Sequence, residues 1–155
     1  MIFSQDNIKY ILENLIKIGK VSSVNEKECS ARVVFENDMV SYDLPIIQHN
    51  TVKNKDYILP DVGEQVVCLF LPNSLHNGFI VGSIYSLKDK PAIKDKNIRN
   101  IKFNDGTEIE YDRKNHILKV DCKGEIIIQS ASEITIKGNI ILNGNLFITG
   151  TIQDI

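Results

Sequence analysis

The side chains that most often carry catalysis or bind metals are scattered along this chain. No histidine has a second His, Cys or carboxylate at a metal-ligand spacing within one predicted element. The cysteines are odd in number, far apart and without a CxxC pair, which argues against a disulfide framework and against a cysteine zinc site. These residues are His49, His76, His116, Cys29, Cys68 and Cys122.

Three carboxylates alternate with apolar residues in one predicted strand. Glu108, Glu110 and Asp112 are separated by Ile109 and Tyr111, so the carboxylates share one strand face. Clustered carboxylates can perform acid–base chemistry or bind Ca²⁺, but a solvated outer face explains the pattern more simply. The sequence therefore predicts no catalytic site, no metal site and no cofactor, and we expect a protein that is not an enzyme.

Composition fits a folded globular protein without an overall basic surface. The chain has 155 residues, is 43% hydrophobic and 25% charged, and has a formal net charge of −2. Nucleic-acid-binding domains usually carry a clear basic surplus, so we predict no nucleic-acid partner. Residues 87–100 hold several lysines, but acidic residues interrupt them and aromatic residues are absent, which is typical of a solvated linker.

Residues 1–18 are predicted to form an N-terminal helix with one apolar stripe. The apolar residues follow the three- and four-residue spacing of a helix. Two interpretations remain open: the stripe packs on the chain's own domain, or it docks to a partner. The candidate docking residues are Ile8, Ile11, Leu12 and Leu15.

Residues 19–86 read as five short strands, which suit a small closed barrel of the OB (oligonucleotide/oligosaccharide-binding) type. Closure would remove the edges that so many short strands would otherwise expose. The predicted strands are 20–24, 29–35, 39–44, 65–71 and 79–85.

Residues 101–155 form the most regular part of the sequence. A hairpin with an Asp105-Gly106 turn comes first, and pairs of aliphatic residues then recur at steps of eight and later six residues. Gly138, Gly144 and Gly150 lie six apart and are predicted to be the turns, because glycine tolerates sharp bends. The predicted inward residues are Leu118, Val120, Ile126, Ile128, Ile134, Ile136, Ile140, Leu142, Leu146, Ile148 and Ile152.

One chain holds too few repeats to stabilise such a coil, since solenoids need about three or more complete repeats and caps. Three chains wound together would give each strand two neighbouring copies and would bury the aliphatic pairs in a dry column. The sequence therefore predicts a mainly β protein, with an N-terminal helix and OB barrel followed by an intertwined homotrimeric β-helix.

The arrangement resembles the baseplate assembly protein V or central spike family of contractile phage tails, with relatives in R-type bacteriocins and type VI secretion spikes. Short motifs in a fixed order carry the resemblance across nearly the whole chain. They are GKVSSV at 19–24, ARV at 31–33, LPDVGEQV at 59–66, GFIVGSIY at 78–85, DGTEIEYD at 105–112 and the glycine-punctuated hexads.

The resemblance implies a needle that attaches to the tail hub and pierces the target cell envelope when the sheath contracts. It implies a location in the virion baseplate or a tail-like particle, after synthesis in the bacterial cytoplasm. Many such spikes end in a His-x-His motif that binds iron, but this sequence has no histidine after His116. We therefore expect either a blunt tip or a tip that a separate protein caps.

Two other classes of function fit parts of the sequence. The barrel could bind an oligonucleotide or oligosaccharide, with Tyr42, Phe70, Phe79 and Tyr85 as candidate aromatic contacts. A hexapeptide-repeat acyltransferase is also a trimer with a hexad coil. That class needs more coils and a small residue where Thr135, Ile141 and Phe147 stand.

Overall fold

The computed structural model describes residues 5–72 and 74–152, and within these the side chains of residues 6, 7 and 74–76 are not described. Residues 1–4 of the predicted helix, residues 153–155 of the predicted spike and the side chain of His76 therefore lie outside the described part. The chain divides into two compact units between Lys94 and Asp95. None of the described helices is long and apolar enough to cross a membrane.

The helix α1 spans Gln5–Leu15 and lies next to two strands of the first unit. These strands are β1 (Ile16–Asn25) and β4 (Gln65–Leu71). The chain passes into β1 without a loop, so the helix ends three residues before the predicted boundary at residue 18.

In the described part of the first unit, five strands make one antiparallel sheet in the order β3-β2-β1-β4-β5. The remaining strands are β2 (Ser30–Val34), β3 (Leu44–Pro45) and β5 (Ser74–Ser83). A parallel bridge between Ile46 and Ile80 joins the two ends of the sheet, and the Ile47 amide donates to the Ile80 carbonyl at 3.0 Å. All neighbouring strands in the sheet are antiparallel, and this single parallel contact closes the sheet. The result is the predicted OB-like barrel.

The barrel core consists of aliphatic and aromatic side chains from all five strands and the segment after β2. Phe35 and Phe70 pack edge to face with ring centroids 5.8 Å apart. The even-numbered residues of β4 are buried, because side chains alternate between the two faces of a strand. The inner face of β4 therefore points into this core. The buried hydrophobic residues are Val21, Ala31, Val33, Phe35, Leu44, Val66, Cys68, Phe70 and Ile80.

The third predicted strand, 39–44, is mostly wrong. Glu36–Asp38 form a short 3₁₀ turn, and Asn37 and Asp38 adopt positive φ angles of 62° and 58°, which end the extended chain after β2. Only an isolated bridge at Val40 and the two residues of β3 pair as strand. Asparagine and aspartate tolerate this left-handed conformation better than most residues.

The LPDVGEQV segment ties the loop after β3 to β1. Gly63 adopts a φ of 96°, and its amide donates to the Val21 carbonyl at 2.8 Å. The Val21 amide in turn donates to the Glu64 carbonyl at 2.9 Å, and the Ser83 hydroxyl donates to the Glu64 carboxylate at 2.7 Å. This motif therefore fixes the entry into β4.

The three cysteine thiols differ in how deeply they are buried. Cys68 is fully buried in the barrel, and burial raises the pKa of its thiol to about 11. Cys29 and Cys122 are partly exposed. We expect a thiol reagent at neutral pH to modify Cys29 in the native protein, and to reach Cys68 only after denaturation. Mass spectrometry of labelled peptides checks this, and rapid native labelling of Cys68 would contradict the barrel core.

The second unit contains a three-stranded antiparallel sheet in the order β6-β7-β8. Its strands are β6 (Ile98–Lys102), β7 (Glu108–Asp112) and β8 (Ile117–Asp121). The first hairpin turns at Asp105-Gly106, as the sequence predicts, and Gly106 has a φ of 89°. β6 begins inside the predicted linker 87–100.

Aspartates hold both turns of this sheet. Asp105 accepts bonds from the Thr107 amide and hydroxyl, at 2.8 and 3.0 Å. Asp112 accepts bonds from the Asn115 amide and side chain at 3.1 and 2.7 Å, and from the Lys114 amide at 2.8 Å. Hydrogen bonds to the ionised form lower the pKa of each carboxyl below its ordinary value.

The turn carboxylates predict a pH dependence of this sheet. A carboxyl whose pKa is lower in the folded state adds stability that is complete above its unfolded pKa of about 3.9. That contribution is lost as the pH falls through the lowered folded value. We expect an NMR titration to place the midpoint of Asp112 below that of an aspartate in an unstructured peptide, and a midpoint at the peptide value would contradict the turn geometry.

Candidate self-association surfaces

The structure brings together none of the predicted chemical residues whose side chains it describes. His49 lies exposed in the loop after β3, and His116 lies in the exposed turn before β8 with a φ of 58°. Among residues 5–72 and 74–152 there is no group of three or more His, Cys, Asp or Glu side chains that could hold a metal ion. The exposed surfaces on which side chains recur at regular spacing are apolar.

The three alternating carboxylates share one face of the β6-β7-β8 sheet, opposite basic and amide side chains. Lys102 contacts Glu108 with a nitrogen–oxygen distance of 3.1 Å, and Asn100 donates to Glu110 at 3.3 Å. In the same row as Glu108, Asp121 contacts Lys123 at 2.9 Å. Paired charges at a hydrated surface explain this cluster without a bound ion.

The opposite face of the sheet is apolar except for Arg99, which lies beside Tyr111, and its apolar side chains are exposed in the described part of the chain. The strand register places Ile101, Ile109 and Val120 side by side in one row. Tyr111 and Leu118 lie side by side in the next row. All five side chains are exposed in the single chain, from 38% at Ile109 to 68% at Leu118.

The repeats after β8 form no strand or helix with their own chain. In residues 122–152, which the structure describes, no backbone amide donates to a backbone carbonyl. The chain bends at the three predicted turn glycines, and Gly138 and Gly144 have φ angles of 137° and 145°.

The inward residues of the last two hexads share the less exposed side of the chain. Ile140 and Leu142 are 59% and 60% exposed, whereas Ile141 between them is 85% exposed. Leu146 and Ile148 flank Phe147 in the same way, at 63% and 47% against 87%. In these two hexads the predicted inward residues are less exposed than the residue between them, whereas Ile128 at 72% is no less exposed than Ile127 at 69%. The inward set as a whole stays a prediction.

A second apolar surface lies on the helix and the outer face of the barrel. Ile8 and Leu12 are 47% and 66% exposed on α1, while Ile11 and Leu15 are half-buried. Outward residues of β1 and β4, such as the paired Ile16 and Leu69, continue this apolar exterior. Half of the predicted docking stripe thus packs on the chain itself, and half remains open.

The candidate aromatic contacts of a ligand-binding barrel do not form one exposed set. Phe70 is buried in the core, and Phe79 is half-buried in β5. Tyr42 and Tyr85 are exposed.

Sequence reasoning missed Ile101, Phe103, Ile109 and Tyr111 as members of the apolar surface of the second unit. The available signal was their alternation with the carboxylates, which was used to group the charged face only. The register across β6 and β7 was needed to place these residues in rows with Leu118 and Val120.

Comparison with known proteins defines the class. Residues 17–85 match the family of the type VI secretion system/phage-baseplate injector OB domain, and this range coincides with the barrel. This match agrees with the resemblance seen in the sequence. Over 159 aligned residues, the chain is also 23% identical to the spike protein of Escherichia phage P2, covering 92% of this chain and 74% of that protein.

Proposed function

We propose that this protein is the structural central spike of a contractile tail or tail-like particle, a homotrimeric needle that attaches to the tail hub and pierces the target envelope. The observation that carries the proposal is the uncovered aliphatic column that follows an injector OB domain. Phage tails, R-type bacteriocins and secretion systems are all settings for such a particle.

Unsatisfied backbone groups favour three intertwined copies. Residues 122–152 form no backbone-to-backbone hydrogen bonds within their own chain, and few of their backbone groups bond to side chains, although a folded protein satisfies almost all of its buried backbone groups. Neighbouring copies would supply these partners, and the same contacts would bury the aliphatic column. Burial of one isoleucine side chain contributes roughly 1.5–3 kcal/mol, so the assembly would be stiff and slow to unfold.

The hub-facing end is proposed to lie at the helix and barrel exterior. Ile8 and Leu12 would contact the hub or another baseplate protein, while Ile11 and Leu15 hold α1 against the barrel. A needle of this kind acts mechanically, so we propose no catalytic role for any residue. The far end would meet the target envelope directly or through a separate tip protein.

The location is tested by immunogold electron microscopy of tail particles from the source organism, with antibody against the purified chain. We expect label at the baseplate end of the tube. Label along the sheath, or its absence from intact and partly disassembled particles, would contradict the proposal.

Helix docking has its own test in the same particles. We expect Leu12→Asp to keep the native mass of the wild type and to be lost from assembled tails, because the charge disrupts an apolar contact with the hub. The control is Glu13→Asp, which keeps the charge at the adjacent position. Normal incorporation of Leu12→Asp would assign the hub contact to another surface.

A further inference from the structure

We propose that Asn143 converts spontaneously into isoaspartate in the full-length chain, and that this conversion prevents a chain from joining the spike. Asn143-Gly144 and Asn77-Gly78 are the two Asn-Gly pairs in the sequence. Glycine has no side chain to block the approach of its own backbone nitrogen to the preceding asparagine. The two pairs therefore share the same intrinsic reactivity, and the structure around each pair decides which of them reacts.

The reaction is an internal cyclisation followed by hydrolysis. The backbone nitrogen of Gly144 attacks Cγ of Asn143, and the new C–N bond closes a succinimide ring. The bond from Cγ to the side-chain nitrogen breaks, and this nitrogen leaves as ammonia with the proton of the attacking nitrogen. Water then opens the ring at one of its two carbonyls. Opening at one carbonyl gives aspartate, and opening at the other gives isoaspartate, in which the main chain runs through the former side chain.

The pair at Asn77-Gly78 is held in the barrel. Both residues lie in β5, and Gly78 is buried and pairs with Phe70 of β4. A Cβ atom at Gly78 would lie 2.7 Å from Phe70 Cδ1 and 2.8 Å from the Leu69 carbonyl oxygen, so other atoms closely surround this backbone. Ring closure requires rotation of the asparagine backbone and movement of the glycine nitrogen. Strand pairing and packing oppose both movements at this pair.

The pair at Asn143-Gly144 lacks these restraints. Both residues are exposed, and neither forms a backbone-to-backbone hydrogen bond within the described chain. A Cβ atom at Gly144 would meet nothing within 4 Å. The nitrogen of Gly144 can therefore approach Cγ of Asn143 without breaking strand pairing or displacing a packed neighbour.

A neighbouring asparagine separates the effect of sequence from that of structure. Asn145 is also exposed and also lies outside the described helix and strands, but it precedes Leu146, whose side chain hinders the approach of the backbone nitrogen. We therefore expect Asn145 to react slowly in the surroundings in which Asn143 reacts fast. Asn77 tests the effect of structure for the same dipeptide, and Asn145 tests the effect of the following residue in similar surroundings.

Isoaspartate would disturb the predicted column of the last two hexads. It adds one carbon atom to the main chain and replaces a neutral amide with a carboxylate. Side chains of an extended segment alternate between two faces, so an inserted backbone atom changes the placement of Leu146 relative to Leu142. This effect on assembly rests on the proposed homotrimer, whereas the modification itself does not.

The test follows the three asparagines in the full-length protein during incubation at mildly alkaline pH. Trypsin cleaves after Lys137, the last basic residue of the chain, so one peptide carries Asn143 and Asn145 and another carries Asn77. Mass spectrometry with fragmentation locates the conversion, and separation of isoaspartyl from aspartyl peptides identifies the product. We expect Asn143 to react faster than Asn145, and faster than Asn77 by more than about tenfold, because opening a paired core strand costs free energy. A urea-denatured sample should modify Asn77 and Asn143 at similar rates.

Asn143→Gln is the matched variant for the effect on assembly, because glutamine would have to close a larger ring and therefore reacts much more slowly. The wild type and this variant are incubated in the same way, unfolded in urea and refolded, and their native masses are measured by light scattering. We expect the incubated variant to regain the trimer, and wild-type chains that carry isoaspartate to be excluded from it. Equal recovery of both proteins would overturn the effect on assembly.

The outcomes distinguish this inference from the proposed function. A trimeric wild type in which Asn143 reacts no faster than Asn77 or Asn145 would overturn the inference and leave the proposed function in place. A monomeric wild type in which Asn143 reacts first would overturn the proposed function and support the modification site.

Discussion

Replacing Ile134 with aspartate should convert the protein from a trimer into a monomer. Ile134 belongs to the predicted inward set, and three copies would place three carboxylates close together in an apolar column. The penalty for such a buried, unpaired charge is several kcal/mol per chain, and even about 3 kcal/mol weakens association by more than a hundredfold. Light scattering at micromolar concentration measures the change directly.

The matched control is Thr135→Asp, which adds the same charge at the adjacent, exposed position. We expect this variant to keep the native mass of the wild type, because its carboxylate remains in water. Equal behaviour of the two variants, either both trimeric or both dissociated, would show that Ile134 and Thr135 are not on different sides of the column.

Replacing Gly19 with alanine should strongly destabilise the barrel. A Cβ atom at this position would lie 2.5 Å from Val33 Cγ1 and from the Val34 carbonyl oxygen, and 2.8 Å from Phe35 Cδ1. The crowding involves the backbone of β2, which cannot move without breaking its pairing with β1. Overpacking of this kind costs about 3 kcal/mol, so thermal unfolding of the barrel should shift down by several degrees.

Gly82→Ala provides the control for this prediction. Gly82 is exposed, and a Cβ atom there would meet nothing within 4 Å. We expect the free energy of unfolding of this variant to stay close to that of the wild type. A Gly19→Ala protein as stable as Gly82→Ala would mean that β1 and β2 do not approach each other as closely as described.

The sequence was most informative where local pattern and tertiary packing agree. β4 occupies 65–71 as predicted, because its continuous apolar run suits a central strand that pairs on both sides. The Asp105-Gly106 turn was predictable for a similar reason, since the turn residues themselves require the left-handed conformation that Gly106 adopts.

The segment between β2 and β3 shows where local pattern is insufficient. Residues 39–44 alternate like a strand, but Asn37 and Asp38 turn the chain beforehand, and the Ser41 hydroxyl accepts a bond from the Val33 amide at 2.9 Å. This side-chain contact takes the place of a strand partner along β2. Residues distant in sequence decide such a choice, so alternation alone predicts a longer strand than the barrel contains.

The candidate surfaces were predictable in part for the same physical reason. Alternation identified Leu118 and Val120 as inward residues, but it could not show which residues of β6 and β7 share their face. That assignment depends on strand register, which places Ile101 and Ile109 beside Val120. In the repeats, the sequence predicts a column of apolar side chains. It does not predict what covers them, since no described contact within one chain buries the column.

The native mass of the full-length protein tests the central claim most directly. Light scattering gives the number of chains, and an unboiled sample in SDS shows whether the assembly resists dissociation. We predict a mass of three protomers and an SDS-resistant band, because a dry, intertwined core unfolds slowly. A monomer across the accessible concentration range would contradict the spike assembly.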